Sequence, residues 1–290
     1  MGMKVLGNIR DVQQHVKQVK KEGRTVGFVP TMGYLHEGHL KLIETARSEN
    51  DIVILSIFVN PLQFGAGEDL DTYPRDEERD RNLAEEHGVD VLFLPTTAMM
   101  YPEPMSIQLS VTKRTDVLCG KSRPGHFDGV AAVLTKLFNI VMPDQAYFGM
   151  KDAQQVAVVD ALINDFNYDI QLVPVATVRE EDGLAKSSRN VHLTAGERDE
   201  APAIQESLQV GRQMVEDGER SPARIIESVT KFLESRTRGR IDYIELLSYP
   251  ELTSVDVIDR PVILAAAVFY ERARLIDNVV FDRNGKITTG

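Results

Sequence analysis

The sequence predicts an α/β fold: a parallel sheet flanked by helices, followed by a smaller α+β lobe. Three observations carry this. Short β-branched runs alternate with helical patterns up to about residue 176, the signature of parallel strands joined by crossover helices. One run, Asp51 to Val59 (DIVILSIFV), is almost continuously apolar, as a central strand buried on both faces must be. Beyond that point helices come first and strands joined by turns come after.

In chain order, Thr25 to Val29 reads as a strand, Gly38 to Glu49 as its helix, and Asp51 to Val59 as the central strand. Arg75 to His87 is a charged surface helix leading into the strand Val89 to Leu94, and its acidic run Asp76-Glu77-Glu78-Arg79-Asp80 reads mostly as a solvated face. Phe127 to Val141 is helical because Val130, Val133, Leu134, Leu137 and Phe138 fall on one stripe, and Gln145 to Phe148 follows as a strand. Asp152 to Asn164 is the next helix and Ile170 to Val178 the next strand. In the second lobe, helical stretches at about 195 to 216 and 222 to 235 precede strands at Asp242 to Leu247, Val262 to Phe269 and Arg274 to Asn278. The expected domains are therefore 1–176 and 177–290, with no repeat or low-complexity tract.

Composition narrows the function. The 290 residues, 42% hydrophobic and 27% charged, suit one large and one smaller globular domain. A net charge of −11 repels polyanions on average, and no Lys/Arg-rich face offers the counterion release that nucleic-acid binding needs. No stretch approaches the roughly 20 apolar residues of a membrane span. The start Met1-Gly2-Met3-Lys4-Val5 lacks the apolar region of a signal peptide, and Leu6 stands where a myristoylation site has Ser or Thr. A cytoplasmic protein with neither nucleic-acid nor membrane partners is the expectation. Cys119 is the only cysteine, so it forms no intramolecular disulfide and has no CxxC partner for zinc; it reads as a small, at least half-buried side chain.

The segment Gly27-Phe28-Val29-Pro30-Thr31-Met32-Gly33-Tyr34-Leu35-His36-Glu37-Gly38-His39-Leu40 places two histidines three apart where a strand hands over to a helix. Unsatisfied N–H groups at a helix start favour anions, Gly38 allows close backbone approach, and imidazoles there can donate to phosphate oxygens. Zinc ligation and purely structural histidines remain open on spacing alone, although no third His or Cys lies nearby in sequence. Asn60 and Gln63 fall past the end of the central strand, where α/β sheets collect ligands, and neutral amides can hold hydroxyls and carboxylates; an ordinary Pro-containing loop is the alternative. Lys151, at a strand-to-helix turn, offers a mobile point charge, though a lone Lys is more often a solvated surface residue. Ser187, Ser188 and Arg189 are good phosphate donors, or else a helix cap.

His36-Glu37-Gly38-His39 resembles the signature of the nucleotidyltransferase superfamily that includes class I aminoacyl-tRNA synthetases. Its wider context resembles the pantoate–β-alanine ligase family. So do Asn60-Pro61-Leu62-Gln63-Phe64-Gly65, Arg123-Pro124-Gly125-His126-Phe127-Asp128-Gly129-Val130, Gly149-Met150-Lys151-Asp152-Ala153-Gln154-Gln155, Ser187-Ser188-Arg189-Asn190 and Arg274-Leu275-Ile276-Asp277-Asn278, in the same order along essentially the whole chain.

The resemblance implies a Rossmann-like domain with helices on both faces, a C-terminal lid domain, a homodimer, and ATP with Mg2+. It implies that pantoate is adenylated with loss of pyrophosphate, after which the β-alanine amine attacks the adenylate to give pantothenate and AMP. His36, His39 and Lys151 would be catalytic, His39 as proton donor. Met32 to His39, Gly149, Met150, Lys151, Asp152, Val178, Lys186 and Ser187 to Arg189 would line the ATP site, while Asn60, Gln63, Arg123 and Gln155 would serve pantoate or β-alanine. Asp80 matches an acidic position near the family's magnesium. Two positions depart from the pattern: Met150 stands where the family has Glu, and Lys186, able to add a phosphate contact, where it has Met. Other readings are an adenylyltransferase that leaves the nucleotide on its product, a truncated aminoacyl-tRNA synthetase, which the acidic balance disfavours, and a non-catalytic nucleotide sensor.

Overall fold

The order of secondary elements in the computed structural model follows the alternation read from sequence. Residues 2–65, 67–68 and 70–288 are described; Met1, part of the chain-start reading above, lies outside them. The elements begin β1 (Lys4–Leu6), α1 (Ile9–Lys21), β2 (Val26–Thr31), α2 (Glu37–Glu49), β3 (Ile52–Ile57), α3 (Glu77–Glu86), β4 (Val91–Phe93), α4 (Thr97–Met100), α5 (Leu118–Ser122), α6 (His126–Val141), β5 (Gln145–Gly149), α7 (Ala153–Asp165) and β6 (Gln171–Val175). These strands form one six-stranded sheet in the order β1-β4-β3-β2-β5-β6. The pairs β1/β4, β4/β3, β3/β2 and β2/β5 all run parallel.

The DIVILSIFV run becomes β3, flanked by β4 and β2, and its residues Ile52 to Ser56 are buried. Val53 and Leu55 join Val29, Leu35, Ile43, Ala46 and Leu92 in one apolar cluster. Removing each large side chain of this kind from water stabilises the fold by about 1.5–3 kcal/mol before chain entropy is counted.

The remaining elements are α8 (Ala195–Glu200), α9 (Ala203–Glu216), α10 (Pro222–Glu234), β7 (Arg240–Ser248), β8 (Val262–Phe269) and β9 (Arg274–Phe281). The three strands make an antiparallel sheet in the order β7-β8-β9. A separate core of Ile204, Leu208, Ile225, Val229, Leu264 and Phe281 lies between α9, α10 and this sheet. At Gly211 of α9 a Cβ would run into Leu264 and Val229, so the missing side chain is what lets helix and sheet approach.

Three details differ from the sequence reading. The helix expected over about 195 to 216 is two helices, interrupted at Ala201 and Pro202, where proline has no N–H to continue the α8 ladder. The strand expected over Ile170 to Val178 ends at Val175. β1 and α1, and the short helices α4 and α5, are additional to the elements expected. The chain packs as two units: Met1–Thr115, Cys119–Phe148 and Val158–Val175 in the first, and Asp116–Leu118, Gly149–Ala157 and Ala176–Gly290 in the second. Two short stretches that a single cut in sequence assigns to the first domain therefore group with the second.

Candidate active site

In the first unit, β2 ends at Thr31 and the chain turns through Met32 to Leu35 into α2. Gly33 (φ 84°) and Tyr34 (φ 51°) both adopt left-handed backbone. A Cβ on Gly33 would sit 2.8 Å from Ile57 Cγ2 and 3.0 Å from Asp80 Oδ2, so the position requires glycine. Asp80, 2% exposed on α3, accepts the Tyr34 and Leu35 N–H groups with its two carboxylate oxygens, each at 2.7 Å. Burial pushes its carboxyl above the usual range, against the pull of those two N–H groups. Asp80 thus braces a strained turn.

His36 is the N-cap of α2, and its Nδ1 accepts the Gly38 N–H at 3.1 Å. The His36 N–H in turn donates to His39 Nδ1 at 3.3 Å, and the two rings lie 4.1 Å apart between centroids. A nitrogen that accepts carries no proton, so both neutral imidazoles hold theirs on Nε2. The helix start therefore presents two Nε2–H donors of fixed tautomer, an arrangement suited to anionic oxygens.

Past β3, Asn60 is 1% exposed and its amide is fully engaged. Nδ2 donates to Gly129 O at 3.0 Å and Gln63 Oε1 at 3.2 Å, while Oδ1 accepts from the Tyr101 hydroxyl at 2.9 Å and the Leu62 N–H at 3.3 Å. Asn60 thereby fixes Gln63, whose Nε2 contacts Met32 Sδ at 3.2 Å. Arg123 is paired with Glu68 through two hydrogen bonds, one of 2.8 Å from Nε, and with His126 Nε2 at 3.1 Å. The guanidinium holds the Glu68 carboxyl below its usual range. His126 Nδ1 lies 2.8 Å from Gln63 O. Asn60 and Arg123, read from sequence as substrate contacts, thus support the loop that carries Gln63.

In the second unit, Gly149 precedes a 3-10 turn over Met150–Asp152. Lys151 Nζ is 3.9 Å from Asp152 Oδ2, its side chain 20% exposed. Met150, where the family pattern has Glu, is 4% exposed, with Sδ 3.9 Å from the Tyr249 hydroxyl. The side chain at this position therefore packs inward. Gln155 is half-buried on α7, while its neighbour Gln154 donates to Val117 O at 2.8 Å. The segment after β6 folds back on itself: Lys186 N donates to Val178 O at 2.9 Å, and Glu180 N to Leu184 O at 2.8 Å. Lys186 Nζ, expected near phosphate, is 2.8 Å from Glu180 Oε2. Ser187 caps the 3-10 turn Ser188–His192 through the Arg189 N–H, so the capping geometry and the predicted phosphate donors occupy the same residues.

Sequence reasoning missed Glu68, Tyr101 and the contacts of Asp277 and Asn278. The last two lie in a motif singled out without a role; no sequence signal links Glu68 to Arg123. Among the described residues, no three His, Cys, Asp or Glu side chains gather as a metal site, and no helix is long and apolar enough to cross a membrane.

A parallel sheet with fixed donors and amides gathered past the carboxyl ends of its central strands places the chain in the class of α/β proteins, which as a rule collect ligands at that edge. Comparison with known proteins makes this specific. The family model described as pantoate-beta-alanine ligase matches residues 4–280, and the chain belongs to that family. It is 61% identical to the pantothenate synthetase of Geobacillus kaustophilus over 280 residues, 97% of this chain and 93% of the relative. The Bacillus subtilis pantothenate synthetase is 59% identical, covering 97% and 98%. Among solved structures, pantothenate synthetase from Thermus thermophilus superposes with a TM-score of 0.90 at 42% identity, covering 96% of this chain and 99% of that one. The Francisella tularensis pantoate-beta-alanine ligase, solved with beta-gamma ATP and beta-alanine, gives 0.80 at 34% identity, covering 97% and 98%. The chain is accordingly a ligase that joins pantoate to β-alanine through a C–N bond.

Proposed function

We propose that this chain drives the ligation with ATP through a pantoyl adenylate. The pantoate carboxylate attacks the α-phosphorus and pyrophosphate leaves; the β-alanine amine then attacks the mixed anhydride, forming the amide and releasing AMP. An amine attacking a free carboxylate would expel a poor leaving group, and adenylation supplies a good one. The observation that carries this reading is the His36/His39 pair, whose Nδ1 atoms are engaged by backbone N–H groups at the start of α2. Charge that builds on phosphate oxygens in the transition state meets donors already oriented for it.

In this reading the His39 Nε2–H donates a hydrogen bond to the phosphate oxygens as pyrophosphate leaves, and Lys151 neutralises phosphate charge. Ser187, Ser188 and Arg189 donate to the outer phosphates, and Val178, Gly149 and Asp152 border the nucleotide. Gln63 and Gln155 orient pantoate. The resemblance also implies Mg2+, but Asp80 does not fit as its ligand: it is buried, and both of its oxygens hold backbone N–H groups. No step is routed through the metal. A cytoplasmic homodimer belongs to the same proposal, and sedimentation tests its oligomeric state.

The deciding measurement is pantoate-dependent exchange of pyrophosphate into ATP. His39→Ala and Lys151→Ala should each slow it by about 100-fold or more, the usual scale for losing one oriented donor. Exchange near the wild-type rate in either variant would overturn the electrostatic account.

A further inference from the structure

Two adjacent side chains on β9 reach two separate loops of the second unit. Asn278, 9% exposed, donates both Nδ2 hydrogens, one to Met150 O and one to Lys151 O, each at 2.9 Å. Asp277, 4% exposed, accepts Arg179 Nη1 at 2.6 Å and Nη2 at 3.0 Å, and its Oδ1 also accepts the Asn278 N–H at 2.8 Å. Arg179 Nη1 donates onward to Gly183 O at 3.0 Å, across the turn that returns the chain to Lys186 and Ser187. A cavity of about 10 Å³ is lined by Lys151, Ser187, Asn190 and Asp277, so both loops and the strand border one small space.

We propose that Asp277 and Asn278 are positioning residues for the ligase reaction, a clamp on one strand that sets the backbone of Lys151 and the segment leading to Ser187–Arg189 in a single relative geometry. The proposal rests on the reading of Lys151 and Ser187–Arg189 as phosphate donors given above. Its chemistry is specific. A primary amide offers two N–H donors from one nitrogen, which is what two consecutive carbonyls require. A carboxylate at 278 would set oxygens against oxygens. At 277, a carboxylate is what matches the two-pronged guanidinium of Arg179. A rigid strand carries both, so the two loops cannot shift independently.

The test is a double-mutant cycle on the full chain, read as kcat for pantoate-dependent ATP–pyrophosphate exchange. Asn278→Ala should lower kcat by about 10- to 100-fold, the scale for a misplaced catalytic group. If Asn278 acts through Lys151, adding Asn278→Ala to Lys151→Ala should lower the remaining rate by less than about twofold. A merely structural role would give the full factor in both backgrounds and would overturn the proposal, as would a single variant within about twofold of wild type. Should Asn278→Ala fail to fold, Asn278→Ser retains one donor and is read in the same cycle. Amide hydrogen exchange at Asp152 and Ala153 separates this proposal from the functional reading. If wild type shows no pantoate-dependent exchange of pyrophosphate, that reading fails, yet faster amide exchange there in the Asn278 variant still supports the clamp and unchanged amide exchange overturns it.

Discussion

Asn60 shows why a residue's chemistry can be read from sequence while its task is not. Its amide is expected at the ligand edge of the sheet, and it lies there, but Gly129, Gln63, Leu62 and Tyr101 use both its donors and both its lone pairs. Those partners come from as far as 69 residues away, so no local pattern encodes them. The same holds for His36 and His39. Their spacing is legible; the engagement of both Nδ1 atoms depends on the turn that Asp80 braces from a sequence distance of 46. Tyr101 gives a measurable consequence. Burial pushes its hydroxyl from the usual 10.0 up to about 12. Below pH 10 the folded and unfolded forms both keep the proton and nothing is lost. From pH 10 to 12 the unfolded chain ionises first, so stability must fall as pH rises through that window. The wild type should lose about 1–2 kcal/mol more than Tyr101→Phe over this range, allowing for partial solvent screening, as read from paired urea melts. Parallel pH profiles would refute the assignment.

Elements are legible where one periodicity rules. β3 declares itself because burial on both faces removes alternation, and α6 because its stripe is long. α1 is equally open to reading, since Val12, Val16 and Val19 lie on one face and all are buried. β1 is not: three residues, mostly exposed, at a sheet edge leave no pattern. The site adds a constraint that periodicity cannot carry, because α6 touches the turn holding Gln63 through a glycine. A Cβ on Gly129 would collide with the Leu62 carbonyl and lie 2.6 Å from Gln63 N. Both obstacles are backbone, so no side chain can swing aside. Gly129→Ala should therefore cost about 1–3 kcal/mol in urea unfolding. It should also raise the KM for pantoate, because Asn60 and Gln63 must move with the turn. A variant with wild-type stability and KM would show that the helix and turn are looser than the packing implies.

At the scale of the molecule, a chain of net charge −11 must hold two anions in the proposed reaction, ATP and pantoate, and this is possible only where donors are concentrated locally. In the proposal, the His36–His39 turn of the first unit and Lys151 with Ser187–Arg189 of the second are the donors assigned to this task. The division of the reaction into two steps follows from leaving groups and makes the order of product release decisive. With ATP and pantoate but no amine, pyrophosphate should appear in an amount about equal to the enzyme and then stop, because the adenylate stays bound and shielded from water. AMP should appear only once β-alanine is added, in step with pantothenate. An adenylyltransferase that keeps the nucleotide on its product would instead release pyrophosphate continuously and yield no AMP, and a nucleotide sensor would release neither. Rapid-quench measurement of both products distinguishes the three. AMP appearing at the full rate without β-alanine would mean that water reaches the intermediate as readily as the amine does, and the proposed ordering of the two steps around a protected adenylate would fall.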